Sequence, residues 1–217
     1  MNCFTVVQIL PDRVFYDRIT YEPRTTGANM SHKPEIIVMM GGQGVGKGTF
    51  SHMLMARHDF NHIEVGALLR AMPADSAVAK TIAVGNLVPD ELLFDMMDEK
   101  ITPDRDIILD GFPRKLSQAK WLVENYADKY NIHVLYLYVP EEILIERINK
   151  RIRAGTGRAD DANPDVIRRR LDTFRTVTMP AIEWLATAPG IKFSKIDAGG
   201  CAGDNFAEIV AALRPGK

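Results

Sequence analysis

The run Gly41-Gly42-Gln43-Gly44-Val45-Gly46-Lys47-Gly48-Thr49 follows directly on the apolar segment Glu35-Ile36-Ile37-Val38-Met39-Met40, and no other junction constrains this chain as much. A short apolar strand feeding a glycine-rich turn, with a helical pattern from Phe50 to Arg57 behind it, forms a cradle for phosphate. Glycines let backbone N–H groups converge on anionic oxygens, and the following helix aims the positive end of its dipole at them. Lys47 can then reach the terminal phosphates of a nucleotide. Loops of this type commonly place Ser or Thr after the lysine to hold Mg²⁺. Here Gly48 stands there, with Thr49 one step later, so the metal is expected to be held through water.

With 217 residues the chain has room for one α/β domain and small inserts around a sizeable core. Its 27 basic and 28 acidic residues leave a net charge of -1, so no global field favours nucleic acid or a membrane surface. No apolar stretch approaches the roughly 20 residues of a membrane span. Cys3 and Cys201 are too few for a zinc cluster or a disulfide framework, and His32, His52, His58, His62 and His133 lack metal-ligand spacing. A reduced, soluble, cytoplasmic protein is expected, or another intracellular address set by residues 1–34.

Those first 34 residues read as an extension of unassigned role. Cys3–Leu10 is apolar enough for a short strand ended by Pro11, and Arg24–Asn29 has the composition of a linker. The segment lacks the pattern of a secretory signal, and Asp12, Asp17 and Glu22 argue against a transit peptide. From Glu35 onward, strands expected at Glu35–Met40, His62–Val65, Asp106–Asp110, His133–Val139 and Ile191–Asp197 alternate with helical patterns such as Ser117–Tyr130 and Pro140–Ile152. Near-continuous apolar strands predict a sheet covered on both faces, and the alternation predicts parallel pairing through right-handed crossovers. Ligands of such a sheet sit at the carboxyl ends of its strands.

The third strand closes on an acid, Asp106-Ile107-Ile108-Leu109-Asp110, followed by Gly111-Phe112-Pro113-Arg114. Asp110 then lies beside the phosphate loop, where it can orient water on Mg²⁺. Arg114 follows a rigid proline and can fork onto a phosphate or a transferring phosphoryl group.

These blocks, with His62-Ile63-Glu64-Val65-Gly66-Ala67-Leu68-Leu69-Arg70, Gly85-Asn86-Leu87-Val88-Pro89 and Gly157-Arg158-Ala159-Asp160-Asp161, resemble the nucleoside monophosphate kinases in order and content, and adenylate kinases most closely. The resemblance covers residues 35–213. It implies a phosphate-loop NTPase-type fold: a parallel five-stranded α/β sheet with helices on both faces, a small monophosphate-binding helical insert (61–90) and a short lid (150–165), with 214–217 as a tail. It implies ATP held by Gly42, Gly44, Val45, Gly46, Lys47, Gly48, Thr49, Arg147 and Arg151. The monophosphate is assigned to Val65, Gly66, Arg70, Leu87, Val88, Gly111, Arg114, Gln118, Arg158 and Arg170. Lys47, Arg114, Arg151, Arg158, Arg170 and Asp110 form the implied catalytic set, with Mg²⁺ carried through water near Asp110 rather than ligated by the protein. Gln118 matches the glutamine that reads adenine, a place where kinases of UMP and CMP carry Asn. ATP and AMP are thus the implied partners, and a monomer is expected by analogy with short-lid relatives.

Arg147, Lys150, Arg151, Arg153, Arg158, Arg168, Arg169 and Arg170 flank the turn Ala154-Gly155-Thr156-Gly157, which suits a mobile flap. Asp160 and Asp161 support it by the same resemblance. Spacing differs by one residue on each side of Arg158, which leaves Arg153 and Arg169 as substitutes for Arg151 and Arg170.

Three departures stand out. Gln43 replaces the usual proline of the loop. Glu64-Val65-Gly66-Ala67 replaces Ser-Thr-Gly-Asp, which removes a hydroxyl that contacts the base. Arg70 to Gly85 is about five residues short and contains Pro73, expected to end the helix bearing Arg70. Val65 keeps a UMP/CMP or other monophosphate kinase open as an alternative. A weakly active nucleotide sensor or scaffold is a second, against which the retained Lys47, Asp110, Arg114 and Arg158 speak. A regulatory GTPase would need Asn-Lys-x-Asp, which the chain lacks.

Overall fold

The computed structural model describes residues 33–102, 105–157 and 163–214. The expected strand at Cys3–Leu10 and the lid residues Arg158, Asp160 and Asp161 lie outside the described residues.

Strand β1 (Glu35–Met40) is the centre of the sheet. It pairs in parallel with β3 (Ile107–Asp110) on one side and β4 (Asn131–Tyr138) on the other. The edge strands β2 (Asn61–Glu64) and β5 (Lys192–Asp197) complete a five-stranded parallel sheet of order β2-β3-β1-β4-β5. The helices are α1 (Lys47–Met55), α2 (Val65–Arg70), α3 (Ala77–Ala83), α4 (Asp90–Lys100), α5 (Leu116–Tyr126), α6 (Glu141–Arg153), α7 (Pro164–Thr173), α8 (Met179–Leu185) and α9 (Ala202–Leu213).

The period-two alternation of β1 divides the core. Ile36, Val38 and Met40 join a cluster with Leu93 and Met97 of α4, Leu122 and Tyr126 of α5, and Ile182 and Leu185 of α8. Ile37 and Met39 face the other way, toward Phe50 and Leu54 of α1, Leu144 of α6, and Phe206, Ile209 and Leu213 of α9. Both faces of the sheet are therefore buried, which is why its central strands are predominantly apolar.

Element boundaries differ from expectation where local pairing decides. The ladder between β2 and β3 ends at Glu64 opposite Asp110, and Val65, expected in the strand, instead opens α2. Asp106 precedes β3, and its carboxylate accepts the Glu35 N–H at 2.7 Å. Asn131 and Ile132 extend β4 because they pair with Glu35 and Ile36. Helix α1 starts three residues before Phe50, at Lys47, since Gly46 in the left-handed region (φ 111°) forms its cap, and it stops at Met55 rather than Arg57. Helix α5 ends at Tyr126, and Tyr130 leaves it to donate its hydroxyl to the Thr102 carbonyl at 2.5 Å. As expected from Pro73, α2 ends early, at Arg70.

A π-helical turn, Phe174–Thr178, joins α7 to α8 in one continuous rod. Pro180 lies in the first turn of α8 and cannot donate to the carbonyl four residues back, so the ladder widens there.

Candidate active site

The carboxyl ends of β1, β2 and β3 open into a cavity of ≈ 540 Å³. It is bordered by the glycine-rich loop, the turn after β3, α2 and α3, and the arginine-bearing ends of α6 and α7. Among the described residues, six cationic side chains line it (Lys47, Arg70, Arg114, Arg147, Arg151 and Arg170) against the two carboxylates Glu64 and Asp110. Such an excess of positive charge in a partly enclosed space suits polyanions.

The loop is shaped by contact as well as by conformation. A Cβ on Gly41 would lie 2.6 Å from the Leu137 carbonyl oxygen, so the chain can pass β4 only as glycine. Lys47 Nζ donates to the carbonyls of Gly41 and Gly42 at 2.8 and 3.1 Å, which folds its ammonium over the loop. Gly44, Gly46, Gly48 and Thr49 border the cavity, whereas Gly42 and Val45 do not. Gly42 is pressed against Leu144, and the Val45 side chain is buried in the core; its carbonyl instead accepts Arg147 Nη1 at 3.2 Å. Arg147 also donates to the Ala198 carbonyl at 2.8 Å, tying the phosphate loop to the end of β5.

Asp110, almost fully buried, faces the start of α1, where a Cβ on Gly48 would come to 3.8 Å from its Oδ2. Gly48 thus leaves beside Asp110 the space that a Ser or Thr side chain would fill.

Two glycines make room for guanidinium groups. Gly111, at φ +88°, would carry a Cβ 3.2 Å from Arg114 Nη2, while Arg114 Nε donates to the Gly111 carbonyl at 2.9 Å. A Cβ on Gly66 would lie 2.9 Å from Arg70 Nη1. Arg70 in turn pairs with Glu64 at 3.0 Å, the acid that replaces a serine in the family pattern. Gln118, fully buried, borders the cavity from the first turn of α5, and Val65, Leu87 and Val88 also line it. Arg151 and Arg170 border the cavity. Arg169 instead donates to the Val84 carbonyl at 2.8 Å, linking α7 to the end of α3, and Arg153 lies outside the lining.

Sequence reasoning passed over several lining residues. His52 Nδ1 approaches the Gly48 carbonyl at 2.6 Å; a carbonyl only accepts, so Nδ1 carries the proton. The His62 ring lies 5.7 Å from it, edge to face, and burial lowers the His62 pKa against the opposing pull of Asp110. His52 and His62 are ten residues apart in sequence and come together because α1 and β2 meet in the fold. Thr173 at the end of α7 and Phe174 and Thr178 of the π-helical turn border the cavity; Pro180 inside a helical pattern was the available signal for that turn.

Comparison with known proteins shows the family. The family model described as adenylate kinase matches residues 39–189. The adenylate kinase of Porphyromonas gingivalis is 42% identical over 159 residues, covering 68% of this chain and 80% of that protein. That of Phocaeicola vulgatus is 36% identical over 187 residues (82% and 97%), and that of Thermus thermophilus 32% over 186 residues (82% and 97%).

Proposed function

The chain belongs to the adenylate kinase family, and on that premise we propose that it transfers the terminal phosphoryl group of ATP reversibly to AMP, giving two ADP. The observation that carries the reading is the convergence of a phosphate loop, a strand-end carboxylate, five arginines and a buried glutamine on one cavity. Phosphoryl transfer through a loose transition state asks for positioning and for positive charge around three equatorial oxygens, with little covalent chemistry. Lys47 and the loop amides hold the donor phosphates, and Arg147 and Arg151 flank the donor side. Arg70 and Arg114 clamp the acceptor phosphate, with Gln118 against the base. Arg151, Arg170 and Arg158 spread charge over the group in flight, and Asp160 and Asp161 support the lid at 150–165. Closure of that lid excludes water, which would otherwise accept the phosphoryl group.

The residues fit Mg²⁺ held through water. Gly48 leaves space beside the Asp110 carboxylate, and Asp110 is the side chain that would hold the ion's water shell. The ion neutralises charge on the β- and γ-phosphates when bound. A monomer in a reducing compartment such as the cytoplasm completes the proposal. Among the described residues no helix is long and apolar enough to cross a membrane.

ADP formation from MgATP and AMP tests the assignment. Lys47→Ala and Arg114→Ala should each lower turnover by about 10³-fold or more while leaving the melting temperature close to that of the parent. Near-parental turnover in either folded variant overturns its assigned role.

A further inference from the structure

The amide of Gln118 can be oriented in one way only. The backbone N–H groups of Arg114 and Lys115 reach the same side-chain atom, at 2.7 and 3.3 Å. Two donors require an acceptor, so that atom is Oε1 and the other end of the amide is Nε2. Nε2 donates to Asp90 Oδ1 at 2.9 Å.

Asp90, the first residue of α4, is itself anchored. Lys115 Nζ lies 2.7 Å from its Oδ1, and Ser117 Oγ lies 2.5 Å from its Oδ2. Burial pushes this carboxyl upward. Hydrogen bonds from Lys115, Ser117 and Gln118 outweigh that effect and hold it below the usual carboxylate range, so it stays charged at neutral pH. Asp90 does not border the cavity, whereas Gln118 does. With Oε1 shared between two backbone donors and one Nε2 hydrogen given to Asp90, the second Nε2 hydrogen is the uncommitted polar group of Gln118 among the described residues.

We propose that Asp90 is a positioning residue for base selection: it locks Gln118 so that a hydrogen-bond donor faces the bound base and the monophosphate site takes bases offering a ring-nitrogen acceptor there. Adenine N1 and cytosine N3 are such acceptors. Guanine, hypoxanthine and uracil present N–H at the corresponding positions and would set donor against donor. Val65 supplies no hydrogen bond to offset this, so Gln118 carries the discrimination. A buried donor left unpaired is costly, which makes the selection strong. The inference rests on Gln118 being the base contact, as in the function proposed above.

The test compares AMP with IMP, which differ at the purine N1–C6 edge, in the parent protein, Asp90→Ala, Asp90→Asn, Gln118→Leu and the double variant Asp90→Ala/Gln118→Leu. The parent should favour AMP over IMP by about 100-fold or more in kcat/KM. Asp90→Ala should raise KM for AMP about tenfold, with kcat within about twofold and KM for MgATP unchanged. Asp90→Asn, which keeps an acceptor for Nε2, should fall between. In the Gln118→Leu background, removing Asp90 should add nothing, because its effect passes through Gln118. Parental KM values in both Asp90 variants overturn the inference, as does an equal loss added in the Gln118→Leu background. If Asp90→Ala does not fold, Asp90→Asn decides. An unchanged AMP-to-IMP ratio in Gln118→Leu alone removes the base contact itself, and the inference with it, while ATP–AMP turnover would still stand.

Discussion

At the scale of single residues, Glu64 stands where the pattern that this chain resembles has serine. Its carboxylate occupies Arg70, the guanidinium assigned to the acceptor phosphate, at 3.0 Å. A monophosphate dianion must displace Glu64 or share Arg70 with it, and either way the two negative groups repel. Both partners are about one-third exposed, so the pair contributes no more than about 1 kcal/mol, a few-fold in affinity. Glu64→Ser should therefore lower KM for AMP about two- to fivefold with kcat little changed. A rise in KM would mean instead that Glu64 holds Arg70 ready for the phosphate. Residue identities at the site were legible where chemistry demands one residue type, as at Lys47, Asp110 and Arg114. The sequence also marked Glu64 as a departure, but not its partner, since Glu64 and Arg70 meet only once α2 begins at Val65.

At the scale of elements, β4 carries a group with a pH signature. His133 sits inside the sheet, its Nε2 3.0 Å from Ser194 Oγ and its register partner Lys192 on β5. Burial first, and the Lys192 charge second, push its pKa down to about 4. The unfolded chain takes up this proton near pH 6.5 and the folded one does not, so stability is full above that pH and declines as pH falls toward 4. The loss reaches at most about 3 kcal/mol. His58 and His62, also lowered by burial, act with the same sign. Urea unfolding at pH 7.0 and 4.5 should show a smaller acid loss for His133→Gln than for the parent; equal losses would exclude His133 as the source. The strands themselves were legible because apolar runs of four to eight residues alternate with helices. Their ends were not, since Val65 and Asn131 are assigned by which neighbouring strand still offers a partner. The π-helical turn escaped because helical periodicity does not register one widened turn.

At the scale of the whole molecule, the order β2-β3-β1-β4-β5 brings the carboxyl ends of β1, β2 and β3 together, and among the described residues six cations from five separate stretches of sequence meet around one cavity. The cavity takes one wall from α2, α3 and the start of α5, and another from the phosphate loop and α6. Arg169 ties α7, the helix carrying Arg170, to the end of α3 through the Val84 carbonyl. The most direct test of the account is steady-state ADP formation by the purified chain with MgATP and, in turn, AMP, dAMP, CMP, GMP and UMP. The account predicts that AMP has the highest kcat/KM, that CMP is the better of the two pyrimidines, and that GMP and UMP are poor. Preference for UMP or GMP, or no turnover with any of the five despite ATP binding, would contradict it.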